Sequence, residues 1–169
     1  MNAILCGMPK CGKSTIGRYL SKVCKISFTE TDQLLRKQHQ MTPRELFKQY
    51  GERSFREMEE TVVGSLAGVK NQLISIGGGT LESEKNREIL LNLGTVIYLK
   101  VDKEILKKRL KKHEPIFLDP IHFDESFEAL WNKRTTVFEK IAQFQLDITG
   151  KTKEEVTAII LRELPINSR

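Results

Sequence analysis

Residues 7 to 14 read Gly-Met-Pro-Lys-Cys-Gly-Lys-Ser and follow the first apolar stretch of the chain. Two glycines separated by four residues, then a lysine and a hydroxyl residue, predict a phosphate-binding loop between a strand and a helix. Glycine lets successive N–H groups converge on an anion, and the helix N-terminus adds partial positive charge. We expect Lys13 to reach the β- and γ-phosphates of a nucleotide and the Ser14 hydroxyl to ligate Mg²⁺. The expected nucleotide-binding residues are Gly7, Met8, Pro9, Lys10, Cys11, Gly12, Lys13, Ser14 and Thr15.

Cys11 lies inside this loop, close in sequence to Lys13 and to the start of the predicted helix. Such surroundings activate a thiol, so Cys11 is either a reactive thiol or simply a tolerated small side chain. The chain's three cysteines have no CxxC spacing and no nearby histidines at ligand spacing, so we expect free thiols in a reducing compartment. These cysteines are Cys6, Cys11 and Cys24.

Two acidic residues, Glu30 and Asp32, follow the second apolar stretch. Strand alternation would place both on one face, at the carboxyl edge of a parallel sheet, where ligands bind. One carboxylate would then lie near Mg²⁺ through water and the other would accept a hydrogen bond from a substrate hydroxyl. The alternative is that Asp32 is the N-cap of the helix predicted immediately after it.

An arginine-containing helical stretch at 51 to 60, GERSFREMEE, permits two interpretations. Arg56 and Glu60 are four residues apart and would form a plain surface ion pair on a helix. Alternatively, one arginine of the stretch, Arg53 or Arg56, faces a cleft and binds a substrate carboxylate through both arms of its guanidinium.

Three consecutive glycines, 77 to 79, follow another apolar stretch. Each glycine costs roughly 0.5–1 kcal/mol of backbone entropy in an ordinary position, so a triplet indicates a special backbone requirement. Either a ligand approaches the backbone closely there, or the chain makes a tight turn.

Short apolar stretches alternate with longer amphipathic ones along the whole chain, which predicts a parallel sheet covered by helices on both faces. Pro115 and Pro120 fall in a long connection without periodicity, 113 to 126, which is typical of a lid. The predicted strands are 3–6, 25–28, 72–76, 95–100 and 144–149. The predicted helices are 13–23, 31–38, 43–49, 53–68, 83–92, 103–112, 125–141 and 152–163.

The net charge is +6, from 28 Lys and Arg against 22 Asp and Glu, and many of the lysines fall within 103 to 112. No zinc spacing, aromatic-rich strand or helix-turn-helix signal accompanies this charge, so we expect no nucleic-acid partner. No apolar stretch approaches the roughly 20 residues of a membrane span, so we expect no membrane partner. The sequence opens without a basic and apolar leader, and we expect a cytoplasmic protein.

These stretches together resemble the shikimate kinase family of small P-loop kinases. The resemblance covers residues 1 to about 163. The phosphate loop alone is shared by many nucleotide-binding proteins, whereas the pattern GE-x-x-FR-x-x-E followed by GGG is much narrower. The stretches that carry the resemblance are the phosphate loop, F-x-x-x-D at 28–32, ELFKQYGERSFREME at 45–59, GGGT at 77–80 and NKRTTVFEKIA at 132–142.

The resemblance implies a single domain over 1–169 with the α/β P-loop fold, in which helices form the two outer layers around a five-stranded parallel sheet of order 2-3-1-4-5. It also implies a helical substrate-binding subdomain at 31–60 and a closing lid at about 111–123. The implied reaction is phosphorylation of the 3-hydroxyl of shikimate, with ATP and Mg²⁺, by an enzyme that we expect to be a monomer.

Carried onto matching positions, the resemblance makes Lys13, Asp32 and Arg134 the catalytic residues, with Asp32 as the partner of the reacting hydroxyl and candidate base. Ser14 and Glu30 are the expected metal-binding residues. Shikimate is a carboxylate with three hydroxyls, so two arginines can hold the acid while an aspartate binds a hydroxyl. The expected substrate-binding residues are Asp32, Arg56, Gly77, Gly78, Gly79 and Arg134.

The chain departs from the family pattern at three places. Glu30 stands where the family usually has aspartate, and Phe138 where it often has tyrosine. Glu114 precedes Pro115 where the lid usually reads Arg-Pro-Leu, so another side chain is expected to supply the positive charge of the lid. The candidates are Arg109, Lys111 and Lys112.

Two other classes of function share some of these sequence features. A gluconate or nucleoside monophosphate kinase would share the architecture, but a nucleotide acceptor usually requires a lid richer in arginine. A nucleotide-dependent regulatory module without catalysis is disfavoured because Lys13 and Asp32 are both present.

Overall fold

The computed structural model describes residues 2–113 and 117–164. Its centre is a five-stranded sheet of order β2-β3-β1-β4-β5 in which all neighbours are parallel, as predicted. Buried residues of the central strands, such as Ile4, Leu73 and Val96, form the main core together with the helices packed on the sheet. The strands are β1 Ala3–Cys6, β2 Ser27–Glu30, β3 Gln72–Ser75, β4 Thr95–Lys100 and β5 Phe144–Asp147.

Helices occupy the connections between the strands, and a short 3₁₀ helix, Thr80–Glu82, follows the glycine triplet. Two of them begin with capping boxes, one formed by Thr42 with Glu45 and the other by Thr152 with Glu155. The helices are α1 Lys13–Cys24, α2 Thr31–His39, α3 Pro43–Ser65, α4 Glu84–Leu93, α5 Lys103–Lys111, α6 Phe123–Ile141 and α7 Lys153–Glu163.

Strand β2 begins two residues later than predicted. Lys25 takes the left-handed conformation (φ 55°) and ends α1, and its N–H donates to the carbonyl of Ser21. Because this cap uses Lys25, the strand begins only at Ser27. It runs to Glu30, and α2 follows directly at Thr31. The expectation that Glu30 and Asp32 alternate along one strand is therefore wrong, since Asp32 lies in the first turn of a helix.

The two helices predicted at 43–49 and 53–68 correspond to the two segments of α3, one on either side of a break. The two segments join at Gly51, whose backbone (φ 77°, ψ 174°) is not helical and kinks the element. A separate hydrophobic cluster of Leu35, Leu46, Phe55 and Val62 ties α3 to α2.

The basic helix α5 packs three of its lysines on aromatic rings of α6, each ammonium 5.7 or 5.8 Å from a ring centroid. The lysines lie one turn apart on α5 and contact aromatic residues that lie one turn apart on α6. Part of the basic stretch therefore packs against the neighbouring helix. The pairs are Lys103 with Trp131, Lys107 with Phe127 and Lys111 with Phe123.

Within the described part of the chain, no helix is both long and apolar enough to cross a bilayer. Cys6, Cys11 and Cys24 are buried free thiols, as expected.

Candidate active site

A cavity of about 490 Å³ opens at the carboxyl edge of the sheet. Strands β1 and β3 are hydrogen-bonded neighbours, with Leu5 opposite Ser75, so the loops that follow them lie side by side at this edge. The lining residues come from the phosphate loop, the β2–α2 junction, α3, the glycine triplet and the lid. They are Pro9, Lys10, Gly12, Lys13, Ser14, Thr15, Glu30, Asp32, Pro43, Phe55, Arg56, Glu59, Ser75, Ile76, Gly77, Gly78, Gly79 and Phe117.

The phosphate loop has the backbone that its glycines predict. Gly7 (φ 149°) and Gly12 (φ 108°) lie in the region that favours glycine, and Gly12 directly precedes α1. A Cβ atom on Gly7 would also lie 2.8 Å from the carbonyl oxygen of Leu99, so the position excludes a side chain on steric grounds. Lys13 Nζ donates to the carbonyl oxygens of Gly7 at 2.9 Å and Met8 at 3.0 Å, so its ammonium lies over the loop.

Six residues of the loop line the cavity, while Met8 and Cys11 are buried in its wall. The Sγ of Cys11 lies 3.8 Å from Lys13 Nζ, and the residue is only 2% exposed. The thiol therefore packs inside the loop, as the interpretation of a tolerated small side chain expects.

Asp32 reaches the cavity from the first turn of α2. Burial raises the pKa of its carboxyl, the nearby Glu30 charge adds to that rise, and Lys13 opposes it. The N-cap of α2 is Glu30, so the alternative that Asp32 is the cap is wrong. Asp32 thus lines the cavity beside the phosphate loop.

Glu30 is buried at the end of β2, and its carboxylate accepts a hydrogen bond from Arg18 Nη2 at 2.7 Å. The amide of Gln33 donates to the same oxygen. The extra methylene of glutamate relative to the usual aspartate is thus part of a side chain that reaches α1 and α2 as well as the cavity.

The oxygen atoms that could ligate a metal at this edge include the Ser14 hydroxyl and the Glu30 and Asp32 carboxylates. These are the ligand types that Mg²⁺ prefers, and Mg²⁺ usually binds one or two carboxylates together with substrate phosphates. Over residues 2–113 and 117–164, no group of three or more His, Cys, Asp or Glu could hold a metal by itself. The donor set therefore fits an ion that arrives with a nucleotide.

Arg56 faces the cavity from α3 and pairs with Glu59 one turn further along, not with Glu60. Glu60 instead lies 3.7 Å from Lys85 Nζ and accepts a hydrogen bond from Ser83. The surface-pair interpretation of Arg56 and Glu60 is therefore wrong. Burial raises the pKa of Glu59, although Arg56 opposes that rise.

Arg134 lies on α6 and is only 1% exposed. Its Nε donates to Glu82 Oε1 at 2.8 Å, while Nη1 is buried and has no hydrogen-bond partner among the described residues. Burial lowers the pKa of this guanidinium, and the carboxylate of Glu82 acts in the opposite direction. A buried donor without a partner is expensive, so an additional acceptor at Nη1 would be favourable.

The glycine triplet is the surface on which both arginines meet. A Cβ atom on Gly79 would lie 2.6 Å from Arg56 Nη1 and 2.9 Å from Arg134 Nη2, and one on Gly78 would lie 2.8 Å from Pro9. The chain also turns tightly here, since Thr80 N–H donates to Gly77 O at 3.2 Å. The triplet therefore makes a tight turn and is also approached closely by other groups. The groups that approach it are protein side chains.

Phe117, in the predicted lid, covers the arginine pair. Its ring centroid lies 5.1 Å from the Cζ atom of Arg134 and 5.5 Å from that of Arg56.

One of the candidates for the positive charge of the lid contacts the phosphate loop. Arg109 donates to the carbonyl of Lys10 at 3.1 Å and so joins α5 to that loop. The predictions for Glu114 and Pro115 lie outside the described residues. Phe138 packs against Tyr98 with ring centroids 5.0 Å apart.

Arg56 and Arg134 are surrounded by three residues that the sequence analysis does not place in the site: Glu59, Glu82 and Phe117. Glu59 is part of the GE-x-x-FR-x-x-E pattern, so the pattern itself contained the signal. Glu82 follows the triplet by three residues, but only the packing of α6 on the 3₁₀ helix brings it to Arg134.

A family model for shikimate kinase matches residues 9–165 of this chain. The chain belongs to the shikimate kinase family. Membership confirms the predicted small-molecule kinase, and it decides against the gluconate kinase, nucleotide kinase and non-catalytic alternatives.

Individual relatives agree with the family model. The shikimate kinase of Streptococcus gordonii is 35% identical over 164 residues, which are 95% of this chain and 98% of that protein. That of Bacillus cytotoxicus is 38% identical over 167 residues, 97% of this chain and 99% of that protein. The solved shikimate kinase of Acinetobacter baumannii in complex with shikimate has a TM-score of 0.89 at 24% identity and covers 96% of this chain and 91% of that one. This last likeness concerns the fold.

Proposed function

We propose that this shikimate kinase transfers the γ-phosphoryl group of ATP to the 3-hydroxyl of shikimate, with the phosphate loop as donor site and the Gly79 region as acceptor site. The observation that carries the proposal is that one cavity joins Lys13 to Asp32, and that Arg56 and Arg134 converge beside them. A carboxylate with several hydroxyls matches two guanidinium groups and one aspartate.

In the proposed mechanism, Arg56 and Arg134 bind the substrate carboxylate and fix its orientation. Asp32 accepts a hydrogen bond from the 3-hydroxyl and takes its proton as that oxygen attacks the γ-phosphorus. Lys13 neutralises charge on the β- and γ-phosphates, and the N–H groups of the loop hold them. Phosphoryl transfer is thus achieved mainly by positioning and charge neutralisation, with ADP as the leaving group.

Mg²⁺ would be held by the Ser14 hydroxyl and, through water, by Glu30, together with the nucleotide phosphates. When bound, the ion neutralises phosphate charge. The hydrogen bonds from Arg18 and Gln33 to one Glu30 oxygen would orient that carboxylate for this role.

We propose a substrate-binding subdomain at 31–60 and a lid at about 111–123, of which residues 114–116 lie outside the described part of the chain. The cluster of Leu35, Leu46, Phe55 and Val62 is distinct from the main core, as a semi-independent substrate subdomain requires. Leu118, in the lid, packs with Leu110 and Phe127 in a third cluster. We further propose a cytoplasmic monomer with no nucleic-acid or membrane partner.

A substrate panel tests the proposal. Purified protein is incubated with ATP, Mg²⁺ and either shikimate, gluconate or a nucleoside monophosphate, and products are identified by ³¹P and ¹H NMR. We expect phosphorylation of shikimate alone, at its 3-hydroxyl, and loss of turnover with excess EDTA. Turnover of gluconate or a nucleotide in preference to shikimate would contradict the proposal.

A further inference from the structure

Glu82 touches the acceptor region without lining the cavity. It closes the 3₁₀ helix after the glycine triplet, and its own N–H donates to Gly79 O at 2.9 Å, which fixes its backbone. Its carboxylate accepts from Arg134 Nε at 2.8 Å, lies 3.8 Å from Arg56 Nη2 and pairs with Lys133. Three cations therefore converge on one carboxylate.

The edge of the Arg134 guanidinium that Glu82 contacts matters more than the negative charge of Glu82. A guanidinium presents its donors on two edges, and Glu82 occupies the edge at Nε. The Nη1 end stays without a hydrogen-bond partner among the described residues, and it lies 3.2 Å from the Cβ position of Gly78, which lines the cavity. Arg134 does not itself line the cavity, but the contact leaves its Nη1 unpaired beside a glycine that does.

We infer that Glu82 is a positioning residue: it holds Arg134 by Nε so that Nη1 is presented to the carboxylate of the substrate. The inference rests on the proposed function, because it assumes that Arg134 binds that carboxylate. Glu59 pairs with Nη1 of Arg56 and accepts from Thr80 at 3.1 Å, so Arg56 has a hydrogen-bonded carboxylate besides its longer contact with Glu82.

A purely electrostatic role makes the opposite prediction. If Glu82 only reduced the positive potential, then removing its charge would strengthen the binding of an anionic substrate. If Glu82 positions Arg134, its removal frees the guanidinium to move and weakens substrate binding. The direction of the change in KM for shikimate therefore distinguishes the two roles.

The test compares wild type, Glu82→Ala, Glu82→Gln and the control Glu84→Gln, which removes the same charge from an exposed position in the first turn of α4. We expect Glu82→Ala to raise the KM for shikimate about tenfold or more, because a buried hydrogen-bonded charge pair loses one partner. Glu82→Gln should raise it less, since an amide oxygen still accepts from Nε. The kcat, the KM for ATP and the Glu84→Gln enzyme should stay within about twofold of wild type.

Calorimetric titration of shikimate should show the same order of dissociation constants, independently of turnover. An unchanged or lowered KM in Glu82→Ala would overturn the inference, and if that variant fails to fold, the same outcome in Glu82→Gln would overturn it. A wild-type protein that does not phosphorylate shikimate contradicts the proposed function, whereas an active wild type with an unaffected Glu82→Gln variant contradicts only the role of Glu82.

Discussion

The guanidinium of Arg56 lies so close to Gly79 that a Cβ atom on that glycine would be 2.6 Å from Nη1. The backbone of Gly79 (φ −106°, ψ −1°) is accessible to any residue, so the requirement for glycine here is steric. A methyl group at position 79 would therefore force the guanidinium of Arg56 to move.

Gly79→Ala should displace Arg56 and Arg134 while leaving the fold intact. Because reacting groups misplaced by about 1 Å lose on the order of a hundredfold in rate, we expect kcat/KM for shikimate to fall by tenfold to a hundredfold. Steady-state kinetics with varied shikimate measures this fall, and the KM for ATP should change little.

Gly64→Ala is the matched control, because nothing lies within 4 Å of a Cβ atom at Gly64 in helix α3. Alanine in a compatible helical position stabilises a protein by about 0.4–1 kcal/mol, so its melting temperature should rise by about 1–4 °C. Equal losses of activity in both variants would show that the effect of Gly79→Ala is not local.

Asp32→Asn should lower kcat by about 10²–10⁴-fold, because the amide cannot take the proton of the hydroxyl. Because desolvation raises the pKa of Asp32, ionising this carboxyl costs more free energy in the folded protein than in the unfolded chain. The melting temperature of the variant should therefore equal or exceed that of wild type, which calorimetry would show. Near-normal turnover would refute the assignment of Asp32 as base.

The same raised pKa determines the acid limb of the wild-type pH profile. Asp32 serves as a base only when it is ionised, so kcat/KM should fall as the pH drops through the raised pKa, above the value of about 3.9 for a free aspartate. Kinetics between pH 4 and 8, on protein whose fold is monitored by circular dichroism, would check this direction.

Lys13→Met should reduce kcat to below about a hundredth, because the ammonium that neutralises the transferring phosphate is lost. The carbonyl oxygens of Gly7 and Met8 also lose their donor, so nucleotide affinity should decrease. Stopped reactions analysed for ADP would show the loss of turnover, and an unchanged rate would contradict the role of the phosphate loop.

Arg134→Lys keeps the positive charge but replaces the planar fork with a point charge. The lysine cannot donate to Glu82 and to the substrate with the same geometry, so the KM for shikimate should rise about tenfold or more. The KM for ATP should remain close to that of wild type. If only the KM for ATP rose, Arg134 would belong to the nucleotide site.

Local patterns predicted most of the architecture. The phosphate loop and the alternation of strands and helices each depend on neighbours in sequence. The boundary of β2 was missed because a lysine, not a glycine, adopts the left-handed conformation that ends α1. That error placed the predicted strand two residues too early, although the helix predicted from residue 31, which contains Asp32, was correct.

The acceptor site depends on contacts between distant parts of the chain, and spacing alone could not supply them. Arg56 has glutamates at three and four residues along the helix, and burial of Glu59 beside Thr80 decides between them. The pairing of Glu82 with Arg134 spans 52 residues, so it follows from how α6 packs rather than from any motif.

The pairing of β1 with β3 has an evolutionary consequence. The phosphate loop follows β1 and the glycine triplet follows β3. Because these strands pair in a fixed register, the separation of the two loops is set by the backbone hydrogen bonds of the sheet rather than by side chains. A descendant of this protein could therefore acquire a new acceptor by altering α2, α3 and the lid, while the span across which the phosphoryl group travels would be inherited unchanged.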